Sequence, residues 1–531
     1  MRVPGPQIRQ PGSQYARKSS GPVLPNFVTT HCRSTNKRNC RQDVGVIANS
    51  ERENMKPIQA TILAMAALTA ACVPAHSERP SIQSGEPVIS YRIGSDLHQS
   101  TWRLDPELQP DILLVDLEPG ETVEVCFITD VEEFCRDTAI GKSYDFDVIH
   151  GGVAHQTRIE GRRHIPAAVF TDEYIEAHTG KITLVIPEVY ELVNVAIALT
   201  ETAREDRWLV YKQSEYYARV MDRFGDHQDH PFVVALNEQL EQNRNRYNGL
   251  KMNGNAFEYD ERGEIQRSSI YDRTGFTGSR GNALLPFFEE MRAFSRDTNF
   301  RTFYESERLT YDEQIRFYVE DIDLGAMKDW LGRQFPDVDP YDTVKIVFSP
   351  LVGGSQSVTW FEQGDFSELQ PHVNFPYRHL EDVSPASDMI YRGNIVFTEL
   401  NHGYLNPTTD RYAGEIADAV TDLSFWTTEQ TQGFYGSPLA TFEEYMNWGL
   451  VALRYLDQAP EEDHEKLLNR LDKFMGEDGR GFLQFPDYSA FLVESYAKRG
   501  EGETIADLYP MIVQWFAAHE AQAAGIGRGG S

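Results

Sequence analysis

The stretch FTELNHGYLNP, from Phe397 to Pro407, is the segment from which the architecture of the C-terminal half can be argued. At about 100° per residue, a helix through it separates apolar from polar side chains. The apolar side holds Val396, Phe397, Leu400 and Tyr404, and the polar side holds Thr398, Glu399, Asn401 and His402. The pattern predicts an amphipathic helix, and a single polar face of this kind usually meets water.

The polar side nearly matches the pattern H-E-x-x-H, in which two histidines one helical turn apart bind zinc and the glutamate is a general base. Thr398 stands where the first histidine belongs, and Glu399 and His402 follow it. A glutamate and a histidine at this spacing are common by chance, so the pair alone is weak evidence. Three interpretations remain: a metal site with one ligand exchanged, a site without metal, or a coincidence of composition.

The segment TFEEYMNWGLVALRYL (441–456) predicts a second helix with another candidate ligand. Its Glu444 falls on the same side as Trp448, Val451 and Tyr455. A carboxylate on such a face must be paired, hydrogen-bonded, protonated or metal-bound, because burying it alone is costly. Glu444 is therefore predicted to be a metal ligand or, equally well, part of a buried ion pair or hydrogen bond to arginine or tyrosine.

Together, FTELNHGYLNP and TFEEYMNW resemble an uncharacterised bacterial family of predicted gluzincin-like metallopeptidases, catalogued as a domain of unknown function. Members with the full motif have a histidine where Thr398 stands, and they share the ending Asn406-Pro407. The stretches VFSPLVGG and RGFLQFPDYSAFLVESY also look like that family. The order of the two helices, the first with Glu and His and the second with a ligand Glu, is the gluzincin order.

The resemblance implies roles for matching positions. Glu399 matches the general base, His402 the second histidine ligand and Glu444 the downstream carboxylate ligand. Thr398 departs from the pattern, and a hydroxyl is a poor zinc ligand beside an imidazole. The first alternative is that Glu399, His402 and Glu444 together hold zinc, iron or manganese.

In the second alternative, His372 or His379 from the preceding loop completes a zinc site, and Glu399 stays the base. In the third, the scaffold binds no metal and acts by recognition. Tyr445, Tyr404 and Tyr412 are candidates for stabilising an oxyanion. The strand KIVFSPLVGG would be the sheet edge along which an extended substrate lies.

The leading function is therefore an exported metal-dependent hydrolase that acts on a peptide or protein substrate. The first rival is a catalytically inactive, zincin-like surface binding protein, and the second is a glycan-active enzyme that uses paired carboxylates. An excess of 81 acidic over 50 basic residues, net charge −31, argues against nucleic acid as a partner. The sequence does not indicate an oligomeric state.

The fold class that these patterns predict is α+β. Short β-branched and aromatic runs over 86–200 predict a β-sandwich-like domain. Residues 201–522 predict a mainly helical, zincin-like domain with a small sheet, and 523–531 predict a flexible tail.

Residues 1–54 differ in composition from the rest and are interpreted as a non-native or disordered extension. The segment 55–75 has the basic start and apolar run of a signal peptide. Cys72 in LTAAC resembles the lipidated cysteine of a lipoprotein signal, while VPA before His76 also fits cleavage by signal peptidase. Export to the periplasm, the cell envelope or the medium is predicted, with a lipid anchor as the only expected membrane attachment.

Cys126 and Cys135 flank a predicted strand–turn–strand segment, TVEVCFITDVEEFCRD. Positions symmetric about the turn of a hairpin face each other within disulfide reach. A structural disulfide is therefore expected, in agreement with export to an oxidising compartment.

Overall fold

The computed structural model describes residues 79–104, 110–274, 281–338 and 341–528. Two compact units make up this part of the chain: a smaller one from 79–115 and 122–161, and a larger one from 116–121 and 162–528. The extension, the signal segment and Cys72 lie outside the described residues. None of the described helices is long and apolar enough to cross a membrane.

The smaller unit is built from two four-stranded sheets, with strand orders β1-β7-β8-β4 and β3-β2-β5-β6. The strands are β1 Ser81–Ser84, β2 Val88–Ile93, β3 Asp96–Arg103, β4 Asp111–Leu117, β5 Thr122–Ile128, β6 Glu133–Ala139, β7 Ser143–His150 and β8 Val153–Arg163. Aromatic side chains join the sheets, because Phe127 and Phe134 from one sheet lie 5.1 and 4.2 Å, ring to ring, from Phe146 of the other. The arrangement is sandwich-like.

A disulfide joins Cys126 and Cys135 across the β5–β6 hairpin. The two residues are directly opposite in the antiparallel register, and their Cα atoms are 4.0 Å apart. This pairing is the one that symmetry about the turn predicts.

The larger unit is mixed, with many helices and a four-stranded sheet. The strands of the larger unit are β9 Ile182–Val185, β10 Phe257–Tyr259, β11 Ile265–Arg267, β12 Thr343–Ser349, β13 Ser357–Gln363 and β14 Phe366–Asn374. Its helices up to β12 are α1 Asp172–His178, α2 Glu188–Leu199, α3 Glu201–Glu205, α4 Glu215–Phe224, α5 Pro231–Gln242, α6 Arg246–Asn253, α7 Phe288–Asp297, α8 Phe300–Ser306, α9 Arg308–Arg316 and α10 Leu324–Gln334.

The helices after β14 form the C-terminal part of this unit. They are α11 Pro385–Arg392, α12 Asn394–Asp410, α13 Ala413–Ala419, α14 Leu423–Trp426, α15 Glu429–Gln432, α16 Pro438–Gln458, α17 His464–Met475, α18 Phe485–Lys498 and α19 Ile505–Arg528. Because α19 continues to Arg528, the predicted tail from 523 is helical over its first part.

The sheet of the larger unit has the order β13-β14-β12-β9. β12 pairs in parallel with both β14 and β9, while β13 pairs antiparallel with β14. The strand that contains KIVFS is therefore interior, and the prediction that it offers a free edge is wrong. The outer strands of this sheet are β13 and β9.

Residues 162–200 belong to the larger unit, so the division at 161 precedes the predicted domain end at 200. The reason is non-local: β9 pairs with β12, which follows it by more than a hundred residues of chain. The helix after β9, α2, is buried at every residue from Val189 to Leu199 and helps form the core of the larger unit.

Candidate functional site

Helix α12 carries the motif, and its apolar side packs on the sheet. Val396, Phe397 and Leu400 are buried in the core of the larger unit. Gly403 permits this close approach, because a Cβ there would lie 3.0 Å from the ring of Tyr341. The side of α12 that the helical wheel predicts to be apolar is therefore the side that is buried.

The polar side of α12 faces α16, and much of it is buried. Asn401 is fully buried and its Nδ2 donates to the carbonyl of Asn447 at 3.2 Å. Thr398 is 2% exposed, and its hydroxyl donates to the carbonyl of Ile395, within its own helix, at 2.8 Å. The general expectation that such a face meets water fails here because the buried helix α16 covers it.

His402 is half-buried and engaged through both ring nitrogens. Nδ1 lies 3.1 Å from Oδ1 of Asn406, and Nε2 lies 3.1 Å from Nδ2 of Asn447. An amide oxygen accepts and an amide nitrogen donates, so this pattern fits the neutral imidazole with its proton on Nδ1. A metal at Nε2 would have to displace Asn447.

Glu444 is a buried carboxylate whose partner is Arg480. Its Oε1 accepts from Arg480 Nη1 at 2.5 Å and from Trp448 Nε1 at 2.9 Å. Burial alone would raise the pKa of Glu444, but the charge of Arg480 and the hydrogen bonds from Arg480 and Trp448 outweigh it and lower the pKa. Arg480 also donates to the hydroxyl of Tyr435 at 2.6 Å. Glu444 therefore forms the buried ion pair that was one of its two predicted roles.

Glu399 differs from Glu444 because no protein donor within the described ranges bonds to its carboxylate. Burial raises the pKa of Glu399 to about 7, with Glu444 adding to the rise and the positive charges of Lys251 and Arg480 opposing it; His402 also lies within electrostatic range. These electrostatic contacts define one group of neighbours, here called the Glu399 cluster: Lys251, Glu399, His402, Glu444 and Arg480.

Lys251, on α6, is the fully buried cation of the Glu399 cluster. Its Nζ donates to the carbonyl of Ser355 at 2.9 Å, just before β13 begins. Burial lowers the pKa of Lys251 to about 7, and the nearby charge of Glu399 opposes the change. The cluster therefore contains an acid and a base that both change charge near neutral pH.

The side chains of the Glu399 cluster do not form the donor set that the resemblance implies. In the described part of the chain, only Glu124, Cys126 and Cys135 bring three donor atoms within 4.8 Å of one another, and these two thiols are joined as a disulfide. Glu399, His402 and Glu444 are thus neighbours without sharing one cation's coordination sphere. Zinc, iron or manganese at this position stays a prediction that the arrangement does not support.

The other predicted site residues bond elsewhere. His372 is fully buried on β14, its Nε2 lies 2.9 Å from Oε1 of Gln370, and burial holds its pKa well below the usual value. His379 pairs with Asp388 at 3.0 Å and is largely exposed. The hydroxyl of Tyr445 donates to the carbonyl of Trp426 at 2.8 Å within an aromatic core.

Lys251, Arg480 and Asn447 are the members of this site that sequence reasoning missed or did not use. Asn447 lies on the polar side of α16, so a helical wheel could have indicated that it contacts a polar residue such as His402. Lys251 follows no motif, and Arg480 opens the stretch RGFLQFPDYSAFLVESY without having been assigned a role. Only the folded chain brings the two cations within electrostatic range of Glu399 on α12.

Comparison with known protein families, with curated proteins and with solved structures finds no match to this chain. The similarity to gluzincin-like proteins therefore rests on the motifs quoted above, and the geometry of the Glu399 cluster has to carry the functional argument.

Proposed function

We propose that the Glu399 cluster binds an extended peptide segment that carries a positive charge, and that the protein acts through this site without a metal ion. The observation that carries the proposal is the contrast between two carboxylates. Glu444 is engaged by Arg480 and Trp448, whereas Glu399 meets no hydrogen-bond donor in the described part of the chain. A half-buried carboxylate with free acceptor oxygens is suited to an ammonium or guanidinium group.

Charge supports a cationic ligand. Arg480 and Glu444 neutralise each other, and Lys251 loses its charge as pH rises above about 7. Ionised Glu399 then gives the cluster a net negative charge, and the chain as a whole has a net charge of −31. The net negative charge of the chain and the local pairing with Glu399 would both attract a basic peptide segment.

The sheet supports an extended ligand. β13 is an outer strand with β14 as its one neighbour in the sheet of the described residues. Lys251 bonds to Ser355, two residues before β13, so the strand begins beside the cluster. An extended peptide can pair with such an edge through its main chain while one of its side chains reaches a specific group.

Peptide hydrolysis is the second candidate, because a carboxyl group with a pKa near 7 is well tuned as a general base. As a metal-dependent reaction, it would require Asn447 to release His402 and Arg480 to release Glu444. We rank it below binding because those contacts stabilise the metal-free arrangement.

Metal content separates the two candidates. The purified protein is expected to contain zinc, iron and manganese at well below one ion per chain, and a chelator is expected to leave its thermal midpoint unchanged. His402→Ala serves as the matched variant. A stoichiometric metal in the native protein that this variant loses would overturn the metal-free proposal, and cleavage of peptides that stops in chelator would establish the hydrolase.

Peptide binding tests the ligand class. Extended peptides that contain lysine or arginine are expected to bind more tightly than the same peptides with acetylated lysine. Glu399→Gln is expected to weaken binding at least about tenfold, which is about 1.4 kcal/mol. Glu415→Gln, an exposed change on α13, is the control and should have no effect.

The affinity for basic peptides is also expected to rise between about pH 6 and about pH 8, because Glu399 ionises over this range. Fluorescence anisotropy with a labelled basic peptide measures both effects. Equal affinity for native protein and Glu399→Gln would remove Glu399 from the binding site.

A further inference from the structure

A cavity of about 520 Å³ lies beside the carboxyl end of β9 in the larger unit. Its volume is within the range of about 300–1,000 Å³ that is common for small-molecule sites. Much of its wall is apolar or aromatic, formed by Leu184, Ile186, Phe257, Ile270 and Ile315 among others. Such a wall is complementary to the apolar or aromatic part of a small-molecule ligand.

The polar wall of this cavity is a connected group around Glu368. Tyr271 and Tyr174 both donate their hydroxyl protons to this buried carboxylate, at 2.6 and 2.5 Å. Lys345 donates to the Tyr271 oxygen at 3.2 Å and lies 4.6 Å above the same ring. Because the phenol protons are already used, the donor that this wall offers to a ligand is the Lys345 ammonium, which has three N–H groups.

Lys345 has no carboxylate within 4.0 Å anywhere in the described ranges, although Glu368 and Glu258 attract it from further away. Burial lowers its pKa, so holding the charge is costly and an anion beside it would be stabilising. Most cations of this acidic chain have abundant carboxylates to pair with, which makes a half-buried, unpaired lysine informative.

Arg308 adds a second cation to the cavity lining and also lacks a carboxylate within 4.0 Å among the described residues. Two acids line the same cavity. Glu258 is held by the amide of Ser269 and the side chain of Gln266, whereas Asp312 lies one turn after Arg308 on α9. Because Glu258 and Asp312 would repel a second anionic group, the ligand is expected to carry one small anionic group, placed near Lys345.

We propose that this cavity binds a small organic acid, with one carboxylate on the Lys345 ammonium and an aromatic or branched apolar body against the β9 wall. The proposal is independent of the Glu399 cluster, since it uses different side chains and a different strand. The ligand carboxylate accepts hydrogen bonds from the Lys345 ammonium, and the apolar part of the ligand covers the cavity wall that would otherwise face water.

The test uses phenylpropionate as the probe and the neutral phenylpropionamide as its matched analogue. Ligand-observed NMR on the full chain is expected to give saturable binding of the acid, at least tenfold tighter than the amide. Lys345→Gln is expected to reduce the affinity for the acid to that for the amide. Lys473→Gln removes the same charge from an exposed position on α17 and should leave both affinities unchanged.

Arg308→Gln guards against a folding defect in the Lys345 variant, because Arg308 is exposed. It is expected to weaken binding of the acid and to leave the amide unaffected. The proposal fails if the native protein shows no saturable binding of phenylpropionate, if it binds acid and amide equally, or if Lys345→Gln keeps the native affinity for the acid.

Discussion

Replacing Arg480 with methionine is expected to lower the free energy of unfolding of the larger unit by about 3–5 kcal/mol. The change leaves the Glu444 carboxylate, 5% exposed, without the guanidinium that now lies 2.5 Å from it. Trp448 still donates at 2.9 Å, but a neutral hydrogen bond does not offset a buried charge. Denaturant unfolding at neutral pH, followed by hydrogen exchange of α16, measures the loss.

A matched control comes from the surface. Arg470 pairs with Asp382 at 2.6 Å, but the two side chains are 42% and 55% exposed. Surface pairs contribute about 0–1 kcal/mol, so Arg470→Met should cost less than about 1 kcal/mol. If Arg480→Met costs no more than this control, Glu444 is neutral or is held by another cation, and a bound metal becomes the first explanation.

A double variant tests the cause. Glu444→Gln combined with Arg480→Met removes both charges, so it is expected to recover much of the stability that Arg480→Met alone loses. A double variant no more stable than Arg480→Met would mean that the loss comes from the packing of Arg480 against Trp448 and Phe482, whose rings it covers.

This ion pair illustrates what the sequence can and cannot predict. The apolar surroundings of Glu444 follow from helical spacing, and so does the conclusion that its charge needs a partner. The partner is 36 residues further along the chain, in a loop whose position depends on how α17 and α18 pack. Spacing along one helix carries no information about that packing.

Local patterns were otherwise reliable. The motif helix and the Cys126–Cys135 pair both depend on contacts between residues close in sequence. The interior position of β12 and the domain division at 161 depend on pairing between distant strands, and both differ from expectation. Lys251 belongs to the same class, since the tertiary packing of α6 brings it within electrostatic range of Glu399.

Glu399→Gln is expected to stabilise the protein by about 1–3 kcal/mol at about pH 8 and to have almost no effect at about pH 4. Burial raises the pKa of Glu399 from 4.5 to about 7 in the folded protein. The folded state therefore binds the carboxyl proton more tightly than the unfolded chain does. The cost of ionising Glu399 is absent at low pH, grows as pH rises above the unfolded pKa, and is complete above about pH 7.

Lys251 does not reverse this sign. With a pKa of about 7 it is largely neutral at about pH 8, so it loses little attraction when Glu399 becomes glutamine. At low pH, Lys251 is charged but Glu399 is protonated, and the substitution again removes little. The pH dependence of the stability difference should therefore follow Glu399 itself.

Denaturant unfolding of the two proteins across this pH range gives the difference directly, with Glu415→Gln expected to stay within about 0.5 kcal/mol of native throughout. A gain in stability that coincides with lost peptide affinity would mean that the fold retains an unpaired, costly carboxylate for the ligand. Destabilisation by Glu399→Gln at about pH 8 would mean instead that the ionised carboxylate already has a strong partner in the free protein, as it would in a metal site.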